Sequence, residues 1–450
     1  MDRKNAWTTY SKEELDRLEQ VNTEYKNCLD AGKTERECVT LAVEKAKAEG
    51  YKDIRDIIKN GEKVKAGDKL YAVCMNKTIA LFHMGTKPLT EGMNILGAHI
   101  DSPRIDVKQN PLYENEEFAY LDTHYYGGIK KYQWVTLPLA IHGVVAKTDG
   151  SLVEVVIGED ENDPVVGISD LLIHLSQTQM EKRGNKVVEG EDLNVLVGSI
   201  PKKEKEKDAV KANILNILKE KYNIEEEDFL SAELEIVPAG KARDYGIDRS
   251  MIMGYGHDDR VCAYTSLKAM LEIEKSDKTC VCLLVDKEEI GSVGATGMQS
   301  RFFENTVAEV MDRVGEYSDL KLRRALKNSK MLSSDVSAAF DPNYPSVMEK
   351  KNAAYFGRGM VFNKYTGARG KSGCNDANAE YMGQLRAIME KNDVSFQTAE
   401  LGKVDQGGGG TIAYILASYN MEVIDCGVAL HNMHAPYEVS SKADIFETYK

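Results

Sequence analysis

The chain has 450 residues, 42% hydrophobic and 29% charged, with a formal net charge of −14. That is enough apolar material for a large core and two domains, while the acidic balance argues against nucleic acid, which selects clustered Lys and Arg. No apolar run approaches the roughly 20 residues that span a bilayer, and the N-terminal MDRKNAWTTYSKEELDRLEQ is polar, so neither membrane insertion nor export is expected.

The first predicted element is an amphipathic helix, SKEELDRLEQVNTEYKNCLDAG, with Ser11 as N-cap, Glu14 three residues on and Gly32 past its end. A second helix, TERECVTLAVEKAKAEG, starts at a Thr and ends at Gly50. DKLYAVCMN and KTIALFHMG then read as strands of a hairpin or meander. The runs MNILGAHID, KTCVCLLVDKEE, MLSSD and MEVIDCGVALHNMH are apolar and end in polar residues, with helical segments such as RVCAYTSLKAMLEIEKS and GTIAYILASYN between them. Strands alternating with helices predict an α/β fold, a central mixed sheet flanked by helices, whose ligand sites collect beyond the carboxyl ends of strands.

Residues 108–245 differ in character. THYYGGIKKYQWVTLPLAIHGVVAKTDGSLVEVVIGED is rich in aromatic and β-branched residues, a polar helix falls near KDAVKANILNILKEKY, and no polar-ended run of the first kind occurs. We read an inserted, mainly β domain at 108–245 interrupting an α/β domain of residues 1–107 and 246–450. The final KADIFETYK reads as a helix cut short. Eight scattered cysteines with no C-x-x-C pair fit a reducing, cytoplasmic setting better than a disulfide framework.

GAHIDSPRID places His99 and Asp101 two apart at a strand end, on one face. An imidazole there could bind a metal while the carboxylate orients it, or the pair could simply end a strand. GYGHDDRVCAY offers Asp258 and Asp259 before a helix, as caps or as a carboxylate bridging two cations, with His257 a neighbour rather than a ligand. VDKEEIGSVGATG sets Glu288 and Glu289 after an apolar run: a solvated loop, or one metal ligand and one general base. MLSSDVS adds Asp335, and ALHNMHAPYE adds His431 and His434. Each motif alone has an everyday explanation. Five strand-end segments carrying His, Asp, Glu, Asp and His in order match what a dinuclear hydrolase needs, and the donor set suits zinc, cobalt or manganese.

HIDSP, the Asp-Asp before a helix, EEIGS, SSDVS and MHAPYE occur in the order of the aspartyl-aminopeptidase family of dinuclear zinc exopeptidases, which the chain resembles from about residue 5 to its end, most closely in the bacterial branch. The resemblance implies a metalloaminopeptidase acting on peptides with a free N-terminus. It implies two divalent ions, one held by His99, Asp258 and Asp335 and the other by Asp258, Glu289 and His434. Asp101 would orient His99, and Glu288 would be the general base. It also makes the inserted domain a dimerisation domain, building a dodecamer from dimers, and matches His174 in LLIHLSQ to a histidine that reaches a neighbouring subunit's active site. KVDQGGGGTIA is similar to the family's Gly-rich loop beside the substrate. Two departures stand out: Asp258-Asp259 where many relatives have Asp-Asn, and Ala-Pro-Tyr-Glu after His434, as in a related peptidase group. An acidic preference and a broader one therefore both stay open. The competing readings are a dinuclear carboxypeptidase or deacylase and a non-catalytic scaffold.

Overall fold

The structure, a computed structural model, describes residues 4–203 and 205–450. Met1 to Arg3 of the polar N-terminal segment and Glu204 of a mixed Lys/Glu run lie outside the described residues. Two compact units result. One comprises the described residues up to Asp101 together with Ala242–Met433 and Glu438–Lys450; the other comprises Ser102–Lys241 and His434–Tyr437.

In the first unit, caps set the opening helices. The Ser11 hydroxyl accepts from the Glu14 N–H at 3.2 Å and the Glu14 carboxylate accepts from the Ser11 N–H at 2.8 Å, starting the helix Lys12–Ala31 with Gly32 as its C-cap. Thr34 and Glu37 repeat the arrangement for Glu35–Ala48. Losing such a cap typically costs about 1 kcal/mol.

A nine-stranded mixed sheet forms the centre of this unit. Its middle is four adjacent parallel strands in the order Cys280–Val285, Asn94–His99, Lys330–Ser334, Glu422–Gly427. Side chains alternate between two cores: Val281, Leu283 and Val285 join Ile95, Phe303, Met311, Met331 and Val423, whereas Cys282 and Leu284 join Leu18, Tyr25, Val261 and Met270. Burial on both faces is why CVCLLV is apolar throughout instead of alternating with polar residues. Each such side chain contributes about 1.5–3 kcal/mol when fully buried.

The run MEVIDCGVALHNMH is not one strand. Glu422–Gly427 lies in the large sheet, and Ala429–His431 pairs in a separate five-stranded sheet ordered Arg243–Tyr245, Met251–Gly254, Glu438–Ser441, Ala429–His431, Ser337–Ala338. The chain therefore changes sheets at Val428. The chain's last helix is Lys442–Tyr449.

The second unit carries a six-stranded sheet, antiparallel throughout: Leu152–Ile157, Leu139–Ala146, Ala232–Pro238, Arg104–Asn115, Phe118–Tyr126, Val195–Gly198. The helix expected near KDAVKANILNILKEKY is Ala209–Tyr222. Among the described residues, no helix is long and apolar enough to cross a membrane.

Candidate metal centre

The ends of three neighbouring parallel strands supply most of the site, in the position where α/β sheets gather ligands. His99 is the last residue of its strand, with Asp101 two further on. Glu288 and Glu289 lie in the 3-10 turn Glu288–Ile290 that follows Cys280–Val285, and Asp335 follows Lys330–Ser334. Asp258 comes from the start of the segment His257–Leu271, where Asp258 and Asp259 depart from helical dihedrals and are joined by a cis peptide bond. Gly256 opens that segment at φ +74°, and a Cβ there would lie 1.9 Å from Nη2 of Arg260. A side chain at that left-handed φ would have to displace the buried Arg260 guanidinium, which favours glycine there.

His99 is 1% exposed. Its Nδ1–H donates to the Asp101 carbonyl at 2.9 Å and lies 3.3 Å from Asp101 Oδ1. Its Nε2 has no hydrogen-bond partner, yet stands 3.3 Å from Asp258 Oδ1 and 3.9 Å from both Glu288 Oε2 and Asp335 Oδ1. The donor atoms of His99, Asp258 and Asp335 lie within 4.8 Å of one another, as do those of His99, Glu288 and Glu289.

Asp101 links two parts of this cluster. Its Oδ1 accepts the Glu288 N–H at 3.1 Å and its Oδ2 the Glu289 N–H at 3.2 Å. Of the adjacent aspartates, Asp258 faces His99 Nε2, whereas Asp259 Oδ2 accepts the His99 backbone N–H at 3.4 Å. Glu438 supports Asp258 by accepting its backbone N–H at 3.0 Å.

Charge is crowded here. Burial, and then the neighbouring Asp259, Glu288 and Asp258, push the Asp335 carboxyl well above its ordinary range. Burial opposes charge on His99, but Asp101, Asp258 and Glu288 outweigh it and raise the imidazole's affinity for a proton. Both shifts register one deficiency, positive charge at the point where the carboxylates converge. A divalent cation held there would supply it. Ligands about 2.0–2.2 Å from zinc stand roughly 3.3–3.6 Å apart in a tetrahedron; the 3.3 Å between His99 Nε2 and Asp258 Oδ1 falls in that range and the 3.9 Å to Asp335 Oδ1 lies a little beyond it, while the nitrogen–oxygen donor set suits zinc.

The other histidines separate clearly. Tyr25 Oη and Ser440 Oγ lie 2.8 and 3.1 Å from His257 Nδ1, and burial, with Arg260 nearby, lowers this imidazole's pKa to about 3. It is a neutral structural residue. His431 Nε2 lies 3.1 Å from the Phe340 carbonyl and its ring packs at a tilt against Phe356, with centroids 4.4 Å apart. In the second unit, His434 Nδ1 lies 2.8 Å from the Gly128 carbonyl oxygen. His174 lies in the exposed 3-10 turn Ile173–Leu175 of that unit.

Two residues near the centre escaped the sequence reading. Glu438 sits in a strand, four residues past His434, and closes the MHAPYE motif without having been given a role there. Asp425 lies inside an apolar strand, a charge in VID that could have served as a signal; burial foremost, with the Glu288 charge adding, raises its carboxyl to about 7.

The sequence model of a family described as aminopeptidase I zinc metalloprotease (M18) matches residues 28–450. A probable M18 family aminopeptidase 1 of Clostridium acetobutylicum is 66% identical over 446 residues, covering 99% of this chain and 96% of that protein. A crystal structure of an M18-family aminopeptidase from Thermotoga maritima superimposes with a TM-score of 0.95 at 44% identity, covering 100% of this chain and 98% of that one. A crystal structure of aminopeptidase I from Clostridium acetobutylicum gives a TM-score of 0.93 at 65% identity, with coverage of 100% and 98%.

Proposed function

We propose, because the chain belongs to the aminopeptidase I zinc metalloprotease family (M18) and is an aminopeptidase, that it removes the N-terminal residue of peptides at a site for two divalent ions, zinc by preference. In this reading His99, Asp258 and Asp335 hold one ion and Asp258, Glu289 and His434 hold the other. The observation that carries it is His99 Nε2: 1% exposed, without a hydrogen-bond partner, and ringed by three carboxylates at 3.3–3.9 Å. A buried nitrogen left in that state costs free energy unless a cation takes it up. For His434, the Nδ1 contact with the Gly128 carbonyl supports coordination through the other ring nitrogen.

When bound, the ions lower the pKa of water and polarise the scissile carbonyl. Glu288 takes the proton of the attacking water on a carboxylate oxygen and delivers it to the leaving amine. Asp101 holds the backbone of Glu288 and Glu289 and the orientation of His99, so base and ligands keep one geometry. His174 of a neighbouring subunit steadies the carbonyl oxygen. We expect Glu288→Gln to retain full metal content by elemental analysis while kcat falls about 10³-fold. Retained turnover would remove Glu288 from the role of base.

Self-association through the inserted unit, as dimers assembled into a dodecamer, is part of the same proposal. Its support is a run of exposed apolar side chains around His174: Leu171, Leu172, Ile173, Leu175 and Met180 are each 53–70% exposed, more than an isolated surface normally leaves together. We assign the enzyme to the cytoplasm, in keeping with eight cysteines that are all free thiols. Cobalt and manganese suit the same donors. A panel of aminoacyl chromogenic substrates assayed with each metal separates an acidic preference from a broad one.

A further inference from the structure

The chain from Asp286 to Gly297 is an irregular loop around the 3-10 turn Glu288–Ile290, and it carries both the proposed base and the ligand Glu289. Its backbone is strained. Lys287 at φ +69° and Ser292 at φ +60° both lie in the left-handed region, which has a steric cost for residues with a side chain. Such strain persists only where the surroundings hold it.

The two ends of the loop meet. Asp286 and Gly297 form a parallel bridge, and a Cβ on Gly297 would fall 2.3 Å from the Ser292 carbonyl oxygen, so the loop closes tightly on itself. Across this neck Thr296 Oγ1 donates to Asp286 Oδ2 at 2.5 Å. Thr78 stands between the same two ends: its hydroxyl oxygen accepts the Asp286 N–H at 3.2 Å and donates to the Thr296 carbonyl at 2.5 Å. Thr78 begins the strand Thr78–His83, which pairs with Cys280–Val285, so the neck is fastened to the sheet from which the loop leaves. Asp286, Thr78 and Thr296 are 0%, 1% and 3% exposed. A carboxylate in such a place is costly. Burial first, then the charges of Glu35 and Asp101, raise its pKa, and its Oδ1 has no hydrogen-bond partner among the described residues. A hydrogen bond to a carboxylate is about twice as strong as one between neutral groups, which accounts for an aspartate where burial opposes its charge.

We propose that Asp286, Thr296 and Thr78 are positioning residues for the reaction: they clasp the neck of the Asp286–Gly297 loop and so fix Glu288 where it moves the proton. Asp101 holds the turn itself, through the N–H groups of Glu288 and Glu289; the clasp holds the loop that bears the turn. This rests on the aminopeptidase reading and deepens it. In that reading an ion holds Glu289, so slack in the neck is felt by Glu288 first.

The test uses the full-length, zinc-loaded enzyme with aminoacyl p-nitroanilides, reading kcat, KM and bound metal. Thr296→Val keeps the volume and deletes the hydroxyl, so kcat should fall about tenfold with KM within about threefold and metal content unchanged. Thr296→Ser should restore kcat. Independently of turnover, hydrogen exchange of the amides of residues 288–292 should quicken about tenfold in Thr296→Val, while those of Asn94–His99 stay as in the parent. Added to Glu288→Gln, Thr296→Val should change the residual turnover by less than about twofold, because the base it positions is gone. A loss that multiplies with that of Glu288→Gln would make the bond a general support of the fold and overturn the proposal. Unchanged kcat or unchanged exchange in Thr296→Val would overturn it, as would a loss of bound metal or a serine variant that restores nothing. If Thr296→Val does not fold, Asp286→Asn decides: it removes the charge but keeps an acceptor, so kcat should fall and exchange should quicken in the same segment, and no change in either overturns the proposal. A parent enzyme that releases no amino acid would instead count against the aminopeptidase reading, with the exchange result still reporting on the clasp.

Discussion

At the scale of single residues, Asp101 ties several parts of the centre together. One carboxylate accepts two backbone N–H groups in the turn that bears Glu288 and Glu289, and faces the imidazole of His99 as well. Loss of such a supporting partner typically costs 10- to 100-fold in metal affinity or activity, roughly. Asp101→Asn keeps the shape but turns an amide N–H₂ toward a backbone donor. We expect it to lower bound metal and to reduce kcat/KM by about 10²-fold, with partial recovery at high zinc; normal metal content and normal kcat/KM would show that the turn is held without it. The contrast between His99 and His257 follows the same logic. Both are fully buried, but carboxylates surround the first, whereas Tyr25 and Ser440 occupy the second.

At the scale of elements, the C-terminal helix Lys442–Tyr449 is fastened by Asp444, which accepts the N–H groups of Gly357 at 2.9 Å and Gly359 at 2.7 Å. Burial is the largest influence on that carboxyl and raises it to about 7. In the unfolded chain an Asp titrates near about 3.9. Between those values the folded protein holds a proton that the unfolded chain has released, so this group's contribution to stability is complete at low pH and is lost as pH rises through about 7. Asp444→Asn cannot titrate. The difference in unfolding free energy between parent and variant, from urea titrations, should therefore move against the parent as pH is raised from about 5 to about 8. A difference independent of pH would mean that Asp444 is ionised throughout.

For the whole molecule, the question is how many copies make one working site. The exposed apolar segment around His174 and the proposed supply of that histidine in trans have a joint consequence. His174→Ala and Glu288→Gln enzymes should each be nearly inactive, but coexpressed they should regain a substantial fraction of activity, because a subunit with an intact base can borrow His174 from its partner. No recovery in mixed assemblies of confirmed composition would place His174 outside the site. Replacing Ile173 with Glu should shift the assembly toward smaller species by light scattering and reduce activity with it, since a charge in an apolar contact is costly.

The amino-acid pattern by itself determined what near neighbours along the chain control. Ser11 with Glu14 and Thr34 with Glu37 start helices because a cap is a four-residue event. The apolar runs before His99, Glu288 and Asp335 are strands because a short, continuous apolar run ending in polar residues is a local signal too. Order along the chain was also enough to name a family. Tertiary structure decided the rest. Only strand order brings His99, Glu288 and Asp335 beside Asp258, and strand order depends on pairings between residues far apart that no sequence window contains. The choice of Asp258 over Asp259 to face His99 depends on how one turn is packed. The change of sheet at Val428 depends on Ala429–His431 finding Glu438–Ser441 as an antiparallel partner. Asp425 escaped the sequence reading, because its partner Thr411 lies fourteen residues earlier in the chain and comes to hydrogen-bond distance only in the fold.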